Sequence, residues 1–491
     1  MSPPTREHRR RPYWTLAALA VLLMVPVTVA GIGLLLAASG AAIVAVIRAR
    51  AARRAGAQPA PQAGDAVVLG RDPAGASVLL SDRQLSAHAL ILGASGAGKS
   101  TSMLRILTDH VRRGRPVVAI DMKGSPTFAR ELASAAAAVG RPFLIWTPDG
   151  SAHWNPLQHG NATELKDKLI ATERFTEPHY QRAAERYVQT VLQVLQRADA
   201  ARPPTLAAVV DLMDPPKLSA MLRRVPRPAA DRVQDYLAAL TPDQLSAIRG
   251  LGTRLAIVSE SHTGPYLGPA PAGQGGEAID LRAALEGRQV VLFSLNSSTY
   301  GKLSAQIGTL AIQDLVTAVG HRLGRREVDG TPAQALIAVD EFSALGSDNL
   351  IALLARGREA GASVLLATQE LADLDRAARG LRDQVLGNTA VKLAHRQDVP
   401  ASAQTIAQMA GTRKVWEETQ QLGGRLLGAH HTGRGTRRQV EQFIIHPNEI
   451  KTLPTGQAVL ITKLPTARAG TIRVSPPLEP SRPGRDAPER G

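Results

Sequence analysis

Eight consecutive residues, Gly93-Ala94-Ser95-Gly96-Ala97-Gly98-Lys99-Ser100, carry the densest chemical signal in the chain. Their spacing, G-x-x-x-x-G-K-[ST], is that of a loop that cradles phosphate oxygens. Glycines let the backbone curl so that successive N–H groups point inward, with a helix N-terminus behind them. Lys99 supplies a point charge for the β- and γ-phosphates, and the Ser100 hydroxyl is a ligand for Mg²⁺. With Thr101 beside it, the stretch 93–101 is the expected nucleotide-binding segment, and ATP with Mg²⁺ the expected ligand. In a chain this rich in Gly and Ala the same pattern also reads as an ordinary turn. Its flanks decide between the two: 87–92 (Ala-His-Ala-Leu-Ile-Leu) is patterned as a buried strand and 101–112 as a helix, the order the motif requires.

A second set of residues has the chemistry to act on what the loop holds. Asp340 closes the apolar run Ala-Leu-Ile-Ala-Val, the place from which a Walker B aspartate holds Mg²⁺ through water. Glu341 follows it and is the expected general base for an attacking water. An acid pair after a strand also serves as a helix N-cap, which is the bland alternative. Gln369 ends another apolar run, Ser-Val-Leu-Leu-Ala-Thr, where it either senses a γ-phosphate or merely terminates a strand. Arg356 and Arg358 lie between these two segments; arginines there are solvated surface groups or a finger reaching a neighbouring subunit's site. His430 and His431 lack companions at metal-ligand spacing, and their Gly and Arg neighbours suggest a solvated loop.

Positioning such residues takes a sheet whose strands end at one edge. Besides 87–92, apolar runs at 115–120, 142–146, 289–295, 335–339, 363–368, 390–394 and 457–463 read as strands, and 302–323 as a long amphipathic helix. Asp121-Met122-Lys123-Gly124 follows the second of these strands, at the edge that faces a ligand crevice in open α/β sheets. Between about 160 and 285 helical patterns dominate, broken by Pro203-Pro204 and Pro215-Pro216, which indicates a helical insertion in the α/β alternation. The chain has 491 residues, 44% hydrophobic but only 3% aromatic, so its core must come from Ala, Leu, Val and Ile. The absence of cysteine excludes disulfides, thiolate catalysis and Cys-ligated metal centres. A net charge of +16 suits a polyanionic partner or an anionic membrane surface, although a coding bias toward Arg accounts for some of it.

The N-terminus has a different character. Residues 1–12 are polar and include Arg9, Arg10 and Arg11; no charged residue follows until Arg48, after which Arg50, Arg53 and Arg54 come quickly. Positive flanks on both sides place both in the cytoplasm, which needs an even number of crossings. Segment 13–47 is therefore expected to be a transmembrane helical hairpin turning between Pro26 and Gly33, with a single tilted span as the alternative. The expected order is a basic tail (1–12), the hairpin (13–47), a linker (48–64), a first motor segment (65–159), the helical insertion (160–285), a second motor segment (286–475) and a Pro/Arg-rich tail (476–491).

Taken together, these pieces resemble the coupling ATPases of conjugation and type IV secretion, in the HerA/FtsK superfamily of ring-shaped DNA motors. The resemblance rests on the N-terminal apolar segment, the loop at 93–100, Asp121-Met122-Lys123-Gly124, Trp154-Asn155-Pro156-Leu157, the insertion, Asp340-Glu341-Phe342, Gln369, and Gly387-Asn388-Thr389 with His395-Arg396-Gln397. It implies an α/β RecA-like P-loop motor and catalytic roles for Lys99, Glu341, Gln369 and Arg358, with Ser100 and Asp340 as metal ligands. Arg358, eleven residues before Gln369, falls where the family places its finger. It further implies a multi-pass inner-membrane protein with a cytoplasmic motor, assembled as a homo-hexamer. Its partners would be DNA, single-stranded with a relaxase, and components of a type IV secretion channel. The family usually separates its two membrane helices by an extracytoplasmic loop, of which this chain has almost none. Two rivals are an FtsK-type translocase, expected to carry a DNA-reading winged helix for which the residues after Pro476 leave no room, and a nucleotide-binding scaffold that recruits substrate without hydrolysis.

Overall fold

The computed structural model describes residues 65–173, 175, 177–271, 277–329, 333–345, 347–425 and 428–477. These belong to one compact unit, Gly64–Gly491. The expected membrane hairpin and all but the first two residues of the expected C-terminal tail lie outside them. Among the described residues no helix is long and apolar enough to cross a membrane.

Among the described residues fifteen strands form, in chain order: β1 (Ala66–Arg71), β2 (Ser77–Ser81), β3 (Ala89–Leu92), β4 (Val117–Asp121), β5 (Phe143–Trp146), β6 (His153–Trp154), β7 (Ala278–Ile279), β8 (Val290–Ser294), β9 (Ala335–Asp340), β10 (Ala362–Thr368), β11 (Val391–Ala394), β12 (Thr412–Arg425), β13 (Gly428–Phe443), β14 (Gln457–Thr462) and β15 (Arg468–Val474). Eleven of them make one sheet in the order β2-β1-β15-β14-β11-β3-β10-β9-β4-β8-β5. From β11 to β5 every neighbouring pair is parallel; from β11 to β2 every pair is antiparallel.

The parallel half is covered on both faces, which is why its strands read as unbroken apolar runs. Alternate residues feed two separate cores. Leu90, Leu92, Val118, Ile120, Ile337 and Val339 join the larger one with the insertion. Ala89, Ile91, Val117, Ala119, Leu336 and Ala338 face the other way. There they meet Met103, Ile106 and Leu107 of the helix Lys99–Arg112 and Phe128 and Leu132 of the helix Pro126–Ala137.

The insertion comprises six α-helices from Ala162–Ile170 to Pro242–Ser259. Pro215 is no breaker here: it opens the helix Pro215–Met221, where a missing N–H costs nothing and its fixed φ suits the first turn. The stretch 160–285 is not helical throughout, because β7 returns to pair in parallel with β6. A buried cluster locks the insertion to the motor. Lys168 Nζ donates to Asp314 Oδ1 at 2.8 Å and Trp154 Nε1 to Asp314 Oδ2 at 3.1 Å. The long helix expected at 302–323 spans Ser297–Asp329 with a break at Gly301, whose φ of 33° is outside the helical range.

Two features depart from expectation. Strands β1, β2 and β15 extend the sheet beyond β14, and His430 and His431 sit not in a loop but in β13, opposite Gly423 and Leu422 of β12. Pairing with the strand just before it supplies the backbone partners of this Gly-rich polar segment, although no apolar alternation marks it as a strand.

Candidate nucleotide-binding site

The sheet brings the C-terminal ends of β3, β10, β9 and β4 side by side, in register Leu92↔Thr368, Ala367↔Asp340 and Asp340↔Asp121. Residues 93–98 leave β3 as a loop, and the helix beginning at Lys99 follows. Ser95, Gly96, Ser100 and Thr101 are exposed, while Gly93, Ala94, Ala97 and Lys99 are buried. The loop is pinned from three sides: Gly93 N donates to Gln369 O, Ala94 N to Arg396 O, and Ala97 O accepts from Gly456 N. Glycine is required at two of its positions for steric reasons. A Cβ on Gly93 would lie 2.7 Å from His395 Cβ, and Gly98 adopts φ +118° with His395 Cε1 and Gly456 N within about 3.3 Å of any added Cβ.

Lys99 Nζ donates to the loop's own Gly93 carbonyl at 2.7 Å. Burial foremost, and then the Lys123 charge, lower its pKa, while Glu341, Asp340 and Glu370 oppose them. An ammonium held by one neutral carbonyl, beside the unpaired first N–H groups of a helix, is a site prepared for an anion.

Asp340 is 2% exposed, and its Oδ1 accepts from the Glu341 amide at 3.0 Å. Burial pushes its pKa up to about 6; Lys123 pulls against this, and Glu341 and Asp121 reinforce it. Glu341 takes a left-handed backbone conformation, φ 55° and ψ 41°, uncommon outside glycine. The turn swings its carboxylate into the crevice. Glu341 Oε1 accepts from Lys123 Nζ at 2.7 Å and from Gln369 Nε2 at 3.0 Å. The N-cap alternative for this pair does not describe its side chain, which makes no capping bond to the short helix Phe342–Ala344.

Two residues join this group for which the sequence suggested no specific role. Lys123 Nζ also lies 3.9 Å from Asp340 Oδ2. Burial works against its charge, but Asp340 and Glu341 outweigh it and its pKa is raised. Asp121 holds the turn carrying it by accepting from the Lys123 and Ser125 amides at 2.9 and 2.6 Å. His395, after β11, packs against the loop. Its Nδ1 donates to Gln457 O at 2.9 Å, so its Nε2 accepts from the Ser102 hydroxyl at 2.8 Å. Burial pushes its pKa down to about 4, and the ring is neutral at physiological pH. Both follow an apolar strand at the crevice edge, which was the signal available.

The donor set fits a Mg²⁺–nucleotide. The Thr368 hydroxyl, one residue from Gln369, is buried with no protein partner, and Ser100 is exposed beside Lys99. Among the described residues no cluster of three or more His, Cys, Asp or Glu forms a metal cage.

Arg356 and Arg358 are not brought to this group. Both are exposed and lie where the helix Ser347–Gly357 turns into β10, at the opposite end of that strand from Gln369. Seven strand residues separate the two ends, about 20 Å at a strand's rise. Buried His88 anchors this turn: its Nε2 donates to Leu354 O at 2.7 Å and its Nδ1 accepts from Val364 N at 3.1 Å.

A loop of this form over adjacent parallel strand ends, in a sheet covered on both faces, defines an α/β P-loop nucleotide-binding fold. The chain matches the family model for the type IV secretion-system coupling protein DNA-binding domain over residues 74–236. It also matches the one for the TraM recognition site of TraD and TraG over residues 334–455. The chain belongs to the type IV secretion-system coupling protein family. Among solved structures, the bacterial conjugative coupling protein TrwBdeltaN70 in its unbound form superposes with a TM-score of 0.62 at 14% identity, covering 85% of this chain and 89% of that one. TrwB in complex with ADP and Mg²⁺ gives 0.59 at 14% identity, covering 82% and 88%. VirB4 of Thermoanaerobacter pseudethanolicus gives 0.54 at 15%, covering 86% and 99%. A search of curated proteins returned no match.

Proposed function

We propose that the protein is a membrane-anchored ATPase that couples ATP hydrolysis to the recruitment and translocation of DNA, or a relaxase–DNA complex, toward a type IV secretion channel. The observation that carries this reading is the meeting of Lys99, Lys123, Asp340, Glu341 and Gln369 at neighbouring strand ends beneath the loop. The likeness to TrwB, which takes ADP and Mg²⁺, supports it.

In this reading the loop amides and Lys99 bind the phosphates, Lys99 exchanging the Gly93 carbonyl for phosphate oxygen. Ser100 directly and Asp340 through water would hold Mg²⁺, which supplies charge neutralisation on the phosphates. Glu341 is the general base. The two contacts on Oε1 fix its carboxylate, so that Oε2 can take the proton of an attacking water. Gln369 links that base to the loop, since its side chain touches Glu341 and its carbonyl accepts from Gly93. Arg358, too distant from its own subunit's crevice, acts on a neighbour's in a homo-hexameric ring. Segment 13–47 anchors the ring to the inner membrane as a hairpin, with both flanks and the motor in the cytoplasm.

Lys99→Ala tests the site. It should fold and insert into membrane like the wild type, yet lose nucleotide-dependent DNA transfer. A wild-type hydrolysis rate in this variant would contradict the reading.

A further inference from the structure

The proposed chemistry gives Lys123 one task, holding the Glu341 carboxylate, yet its ammonium also faces Asp340. It lies 2.7 Å from Glu341 Oε1 and 3.9 Å from Asp340 Oδ2, and its side chain is 40% exposed. Exposed lysines usually pair loosely, because the long side chain must be immobilised. The backbone that delivers this one is fixed. Asp121 accepts from the amides of Lys123 and Ser125, Leu295 N donates to Asp121 O, and Ser297 N donates to Met122 O. Gly124 takes φ +69°, and a Cβ there would lie 2.8 Å from Asn296 N, so the turn abuts the exit of β8. The Lys123 backbone has little room to withdraw.

Charge decides what this geometry does. Mg²⁺ sheds its waters reluctantly and is held by one or two carboxylates together with substrate phosphates. Three carboxylates act on Lys123: Asp340, Glu341 and Asp121. Both Asp121 oxygens already accept backbone amides, which leaves Asp340 and Glu341 for a metal. Two ammoniums offset that pair, Lys123 directly and Lys99, which is close enough to feel the Lys123 charge. A divalent ion approaching without nucleotide therefore meets like charge 3.9 Å from the carboxylate it needs, where repulsion in a partly buried crevice is strong. An ion arriving with ATP brings phosphates whose negative charge offsets both lysines. We propose that Lys123 keeps free divalent metal off Asp340, so that metal enters the crevice only together with nucleotide. This rests on the reading that the crevice takes a Mg²⁺–nucleotide.

The test is an electron paramagnetic resonance titration of full-length protein in detergent, with Mn²⁺ alone as probe. Wild type should bind Mn²⁺ weakly without nucleotide and far more tightly with a non-hydrolysable ATP analogue. Lys123→Met should bind Mn²⁺ alone at least about tenfold more tightly than wild type. Lys123→Arg, which keeps the charge, should stay like wild type. Adding Asp340→Asn to Lys123→Met should remove the gain. Lys123→Gln takes the place of the Met variant if that one does not fold. Binding of Mn²⁺ alone no tighter than in wild type, by whichever of these two folds, would overturn the proposal, and so would a gain that survives Asp340→Asn. Wild type that binds Mn²⁺ equally well with and without the analogue, at a site lost in Asp340→Asn, would overturn it without any Lys123 variant. Failure of wild type to bind the analogue with Mn²⁺ would instead defeat the nucleotide-site reading itself.

Discussion

Burial beside Glu341 and Asp121 makes the Asp340 carboxylate costly to ionise. Its folded pKa of about 6 lies above the ordinary 3.8, so the folded protein binds its proton more tightly than the unfolded chain does. Above pH 6 this charge costs the fold stability, by no more than about 3 kcal/mol for a shift of about two units. Asp340→Asn should therefore raise the melting temperature of the nucleotide-free protein at pH 7.5. The gain should shrink as pH falls from about 6 through 3.8 and vanish below that, where the carboxyl is protonated whether folded or unfolded. The same variant should hydrolyse ATP orders of magnitude more slowly. Equal melting temperatures at pH 7.5 and 4.5 relative to wild type would show that the carboxylate is not strained by burial. A residue that weakens the fold where it serves the site is expected of a metal-holding group and unexpected of a structural cap.

At the scale of elements, β10 determines what Arg358 can do. One end of the strand delivers Gln369 to the crevice and the other carries the arginine turn, so a single subunit cannot use both on one nucleotide. Arg358→Ala should leave ATP affinity nearly unchanged while the turnover number falls by about 10³–10⁵. Arg358→Lys should recover little, because a point charge lacks the planar fork. A KM rise with unchanged turnover would reduce Arg358 to a binding residue. The strand ends were legible in the sequence because the parallel core is continuous and apolar: β3, β4, β9 and β10 all fall within a residue or two of the runs that announce them. Lys123 and His395 had no comparable signature, since a single lysine or histidine acquires a role only from strands far away in sequence. The antiparallel extension was missed for a related reason. β1 pairs with β15 some four hundred residues on, and both are short with mixed exposure. The β12–β13 arm is polar and glycine-rich, so no apolar period marks it.

At the scale of the whole molecule, the proposed ring makes the site a property of two neighbours. Mixing Arg358→Ala with Glu341→Gln protomers should restore hydrolysis, because some interfaces then join an intact arginine to an intact base. A mixture as inactive as its parents, in rings shown to contain both, would place Arg358 in its own subunit or leave it a structural role only. For the anchor, reporters at the N-terminus and after Arg54 should both score as cytoplasmic; opposite sides would replace the hairpin by a single span. The central claim is that hydrolysis, and not nucleotide binding alone, moves DNA. The direct measurement is DNA transfer and ATP turnover compared in cells and in purified protein carrying Glu341→Gln. If hydrolysis drives transfer, this variant binds ATP like the wild type and loses both turnover and transfer. Transfer at wild-type frequency with turnover abolished would contradict the claim and leave a recruiting scaffold in its place.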